Sequence, residues 1–156
     1  MVLARNFPAT KQQRRAAWRA AREVRELKNL PYTAPSIGQV LGAQMWRVRA
    51  ENGRPLKGAS RLRTILLSET AHLIWKEHGR RRIQEGSDPL KLPPPTAMRK
   101  RVLASLNARL RAEMLATNRI RYGKLALKAD VVEATWWGVL ANRHLLQDDW
   151  LRETGV

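Results

Sequence analysis

Residues 60–83, SRLRTILLSETAHLIWKEHGRRRI, decide the fold. On a helical wheel the middle of this stretch is apolar in most directions, through Leu62, Ile65, Leu66, Leu67, Ala71, Leu73, Ile74 and Trp75. A helix with one greasy stripe lies on a surface, whereas one greasy all round is wrapped by neighbours. Only one polar stripe, Glu69, His72 and Lys76, interrupts it, at spacings of three and four. The pattern predicts a central core helix over 60–83 with a basic tip at Arg80, Arg81 and Arg82.

Upstream, Thr10 to Gln13 has the form of a capping box, which predicts a helix over 11–30. Its apolar stripe is thin: Ala17, Ala20, Ala21, Val24 and Leu27. The opposite face carries Lys11, Arg14, Arg15, Arg19, Arg22 and Arg25, with Trp18 among them. Residues 1–34 therefore read as a basic helical arm, loosely attached to a domain over 35–156. Pro31 and Pro35 break the chain, because each disfavours helix at the residue before it. Ser36 and Gln39 can cap a short helix reaching Trp46. Asn52-Gly53 favours positive φ and suggests a small hairpin between Trp46 and Leu56.

Downstream, a spacer over 86–95 ends in three prolines, Pro93 to Pro95, an extended and stiff run. Thr96 is then placed to cap a helix over 97–119, whose core stripe is Val102, Leu103, Leu106, Leu110, Met114 and Thr117. A last helix is expected over 130–140, with Val132, Trp136, Val139 and Leu140 inward. The fold class expected from these patterns is all-α, a small helical domain around the central helix.

The chain has 156 residues, with 30 Lys and Arg against 13 Asp and Glu, a net charge of +17. Such a field attracts polyanions, whether RNA, DNA or an anionic membrane. A solvated basic surface beside an acidic partner is the alternative. The charge is uneven: residues 124–156 carry four basic and five acidic side chains, so the C-terminal end is a poor phosphate surface. There is no cysteine, hence no disulfide and no thiolate metal site. No apolar run approaches the roughly 18 residues of a membrane span.

Arg14, Arg15, Arg19 and Arg22 are the first candidate phosphate contacts, with Trp18 stacking on a base or merely covering the arginines. Arg80, Arg81 and Arg82 form a second cluster with Arg99, Lys100 and Arg101 across the spacer. The second triplet opens a helix, where the dipole disfavours cations, so an offsetting anion is expected, phosphate being the plainest. The acid-free first 22 residues also resemble a mitochondrial presequence until Glu23 and Glu26 interrupt. A nuclear or cytoplasmic location is the main expectation. His72, His78 and His144 fall at no metal spacing, and Glu69 with His72 could form a pair on the core helix. Asp148-Asp149 lacks a third ligand, and no catalytic constellation is visible. No metal or cofactor is expected.

One ordered series of motifs is familiar. It comprises Gly58-Ala59-Ser60-Arg61-Leu62, the run from Ile65 to Lys76, Leu106-Asn107-Ala108-Arg109-Leu110, Thr117-Asn118-Arg119, Tyr122-Gly123-Lys124 with Ala126-Leu127-Lys128, Thr135-Trp136, Asp148-Asp149-Trp150 and Arg152 to Val156, with Pro35 to Gly42 as a weaker lead-in. It resembles the C-terminal tail of fungal non-LTR (LINE-type) retrotransposon polyproteins, over residues 35–156. Where that family often has an Arg-Cys pair, this chain reads Glu77-His78-Gly79-Arg80, and Gln147 replaces a usual proline. The polymerase and nuclease domains of such polyproteins have no counterpart here, so the resemblance implies a retroelement origin rather than catalysis. The function expected is sequence-nonspecific binding of RNA or single-stranded DNA. The alternative is a helical module that docks on another protein through Trp137 or Trp150, its charge incidental; the oligomeric state stays open.

Overall fold

Small side chains set how closely the helices meet. The computed structural model describes residues 8–86, 88–141 and 151. Among them are six α-helices and no strand, an all-α domain as expected. Helix α1 (Pro8–Glu26) begins ahead of the expected start, so Thr10 lies within the helix instead of at its cap. Ala17, Ala20 and Ala21 are buried, and α1 makes its most extensive packing with α4 (Pro95–Ala116), then with α3 (Lys57–Gln84). The loosely attached arm is therefore corrected: α1 is a core helix. An alanine stripe buries little area per residue, but it lets two helix backbones approach closely, which a tally of large apolar residues overlooks.

After α1 the chain turns through Asn29, whose φ of 53° is the left-handed conformation that ends many helices. Helix α2 (Ile37–Leu41) carries the expected capping box: Gln39 N donates to Ser36 Oγ and Ser36 N donates to Gln39 Oε1, both at 3.2 Å. It stops short of Trp46. The expected hairpin is present in miniature, as one antiparallel bridge between Arg49 and Pro55 closed over Gly53 at φ 78°.

Helix α3 is wrapped more completely over its first half than over its second. Leu62, Ile65, Leu66, Leu67 and Thr70 are buried, whereas Trp75 is 70% exposed and Ile83 is exposed too. The reason is length: 28 residues rise about 42 Å, more than its shorter neighbours can cover. Helix α6 (Ala129–Trp136) crosses the first turn of α3, where a Cβ on Gly58 would stand 2.1 Å from the Ala134 carbonyl oxygen. That crossing requires a glycine.

A short 3-10 turn (Pro89–Lys91) leads to α4. Pro95 is the first residue of α4, a position whose N–H has no helical acceptor, so a proline is tolerated there. Thr96 accordingly sits inside the helix, and Pro94 takes the cap position without a side-chain bond. Helix α5 (Arg119–Tyr122), capped by Asn118, and a 3-10 turn (Gly123–Leu125) connect to α6. The core joins Ala17 and Ala20, Leu62, Ile65 and Leu66, Met98, Val102, Leu106 and Met114, and Val132 and Trp136, from four helices.

Candidate nucleic-acid interface

The core stripe of α1 leaves its other face to solvent. Lys11, Arg14, Arg15 and Arg19 are exposed there and pair with no acid among the described residues. One turn on, Arg22 is ion-paired with Glu26 at 2.6 Å and lies over the Tyr32 ring at 5.6 Å. Trp18 is half-buried and lines a recess with Tyr32 and Leu66. It does not stand in the middle of the basic face, and the cation–π contacts of the described residues are Arg22 on Tyr32, Arg63 on Trp46 and Arg121 on Tyr122. Trp18 is one residue from the face that solvates Arg19, and helical geometry turns it toward α3.

The two triplets meet through acids. Arg80 pairs with Glu77 at 3.1 Å and also with Glu85, and Arg101 of α4 pairs with the same Glu77. Arg99 Nη2 lies 2.8 Å from Glu23 Oε2 on α1. Arg81 is buried, while Arg82 and Lys100 are exposed. The anion that offsets the cations at the start of α4 is thus carboxylate from α1 and α3. An offsetting anion is expected here from the sequence, with phosphate the plainest candidate; the tertiary fold brings Glu23 and Glu77 alongside to supply negative charge.

Sequence reasoning passed over Glu113. It is 4% exposed and gathers four donors: Arg61 Nη1 and Nη2 at 2.7 Å each, Arg109 Nε at 2.8 Å and Trp136 Nε1 at 2.9 Å. Arg61 Nη1 also donates to Thr135 Oγ1 at 3.1 Å. Burial pushes the Glu113 carboxyl up, but hydrogen bonds from Arg61, Trp136 and Arg109 outweigh it and hold the group below its ordinary value. This knot ties α3, α4 and α6 together. The only sequence signal was an acid one position before Met114 on the core stripe, which reads equally well as a solvated edge.

Arg63 and Tyr32 were also missed, and Arg25 was read only as part of the basic face. They share the recess with Trp18. Burial pushes Arg25 and Arg63 down, and for Arg25 the positive charge of Arg63 adds to it; burial pushes Tyr32 up.

The remaining sequence candidates dissolve into packing. Glu69 accepts a hydrogen bond from Ser105 Oγ at 2.7 Å instead of pairing with His72, which stacks on Trp75 at 5.9 Å. Among the described residues no cluster of His, Asp or Glu could hold a metal ion, and no helix is long and apolar enough to cross a membrane. Trp136 is buried and Trp137 is 45% exposed. His144, Asp148-Asp149, Trp150 and residues 152–156 lie outside the described residues. Protein-family models, curated proteins and solved structures return no match to this chain. The retroelement likeness therefore rests on the quoted motifs alone.

Proposed function

We propose that the protein binds RNA or single-stranded DNA without sequence preference, through the exposed face of α1, and that it does so as a non-catalytic remnant of a retrotransposon polyprotein. The observation that carries this reading is the unbalanced stripe of Lys11, Arg14, Arg15 and Arg19. Lys11, Arg15 and Arg19 follow at four-residue spacing, about 6 Å apart along the axis, on a helix anchored by its alanine face. Fixed cations on a rigid element meet a phosphate backbone at small entropic cost. The likeness of residues 35–156 to a retroelement tail supports the same partner, since such polyproteins copy RNA. A nuclear or cytoplasmic location follows from that partner.

The test is salt dependence. The logarithm of affinity for a mixed-sequence RNA should fall steeply with the logarithm of salt, by roughly 0.7 per phosphate neutralised. A second reading, docking onto another protein, draws on the exposure of Trp137 beside buried Trp136. Failure to bind any single strand at low salt would leave docking as the better account.

A further inference from the structure

The recess beside Trp18 has a composition that packing does not explain. Ala21 and Leu66, both buried, line it with Trp18 and Tyr32, and Arg25 and Arg63 add two guanidinium-bearing side chains. Among the described residues no carboxylate lines it. Arg63 is 8% exposed, yet its Nη1 has no hydrogen-bond acceptor, and Nε of Arg25 has none either. Among the described residues the Arg63 guanidinium lies over the face of Trp46, at 5.6 Å. Two like charges thus sit in one apolar recess without an anion. Buried charges are ordinarily paired, and an oxyanion is the ligand that a guanidinium with unused donors fits best.

We propose that this recess binds a terminal phosphate group, taking one of its oxygens between Arg25 and Arg63. Three features select that ligand. The whole recess has room for little more than one oxygen atom, so it admits the tip of a ligand and not a base or sugar. The recess is more enclosed than open, which suits a chain end better than a strand passing through. Two guanidiniums match a phosphomonoester, which carries nearly two negative charges at neutral pH, better than an internal diester with one. Trp18 and Tyr32 line the recess, and the basic stripe of α1 lies on the helix that carries Trp18. The site deepens the strand-binding reading for its macromolecular ligand, but the phosphate-binding step itself stands apart from it.

The experiment uses the full chain and two kinds of probe. Inorganic phosphate, against chloride at equal ionic strength, should raise the melting temperature and change tryptophan fluorescence through Trp18. A 5′-phosphorylated oligonucleotide should bind about tenfold tighter than the same strand with a 5′-hydroxyl, the scale of a doubly charge-assisted contact. Arg63→Met should abolish the phosphate-specific stabilisation and bring the two strands to equal affinity. Arg25→Met should do the same, and serves if the first variant fails to fold. Arg15→Gln should weaken both strands equally and preserve their ratio. If inorganic phosphate binds in an Arg63-dependent way while no strand binds, the site stands for a free phosphate or small phosphoester and the strand-binding reading falls. If both strands bind equally and inorganic phosphate stabilises no more than chloride, the recess is no phosphate site. A phosphate preference that survives both Met variants overturns it as well.

Discussion

Glu113 shows how one buried carboxylate can hold three helices. Its four donors come from α3, α4 and α6, and removing its charge leaves the Arg61 fork facing a neutral amide. Breaking a buried ion pair from one side costs roughly 3–5 kcal/mol; because the Arg61 side chain is 27% exposed and can reach water, Glu113→Gln should cost about 3 kcal/mol in urea unfolding. The same group makes stability depend on pH. Its folded value lies below its unfolded one, so its contribution is complete above the ordinary glutamate range, near 4.3, and drains away as pH falls through the folded value. Glu113→Gln should flatten that part of the acid-unfolding curve; an unchanged curve would mean that other carboxylates dominate. Gly58 carries a second prediction. Since an added methyl group would overlap the Ala134 carbonyl, Gly58→Ala should destabilise by about 1–3 kcal/mol, against the small gain alanine normally brings to a helix. A melting temperature at or above wild type would show that α6 can shift freely.

At the scale of elements, the contrast is between α1 and the start of α4. Arg14, Arg15 and Arg19 project from α1 without described acid partners, whereas Arg99 and Arg101 are held by Glu23 and Glu77. Changing Arg14, Arg15 and Arg19 to Gln should reduce the slope of log affinity against log salt by about 2 on single strands and leave the helical circular dichroism intact. Changing Arg99, Lys100 and Arg101 to Gln should weaken binding less. Its stability effect should stay within about 1 kcal/mol, because partly exposed ion pairs are lost while cations are removed from a helix N-terminus. Equal binding loss in the two variants would show that only net charge matters. Another element-level contact is made by Lys28, just past the end of α1. Its Nζ donates to the Ala134 and Thr135 carbonyl oxygens at 2.5 and 2.7 Å, closing the C-terminal end of α6. Burial pushes the Lys28 ammonium down while those carbonyls favour its charge, so Lys28→Met should loosen α6 first. Amide hydrogen exchange across 129–137 measures it, and uniform exchange throughout the chain would contradict a local role.

For the whole molecule, the charge of +17 is the governing quantity. Self-repulsion of that size strains the compact state, and salt screens it over a Debye length of about 10 Å at 0.1 M. Raising sodium chloride from about 0.05 to 0.5 M should therefore raise the melting temperature while weakening strand binding. A melting temperature that falls with salt would place the repulsion outside the folded core.

Much of this architecture is legible along the chain because it is written in local periodicity. The helical period of Val102, Leu106 and Met114, the greasy middle of 60–83 and the Ser36 capping box need only neighbours within a few residues. The basic stripe of α1 is equally local. What sequence by itself could not decide is which charges remain unneutralised, because pairing depends on distant helices meeting: Arg99 finds Glu23 across 76 residues and Arg61 finds Glu113 across 52. The same holds for the recess, where Arg25 and Arg63 become neighbours only when α1 lies against α3. Periodicity tells a side chain which way to face, but only the packed helices determine what it faces, and in a chain this basic that pairing separates an arginine held by a carboxylate from one left to solvent.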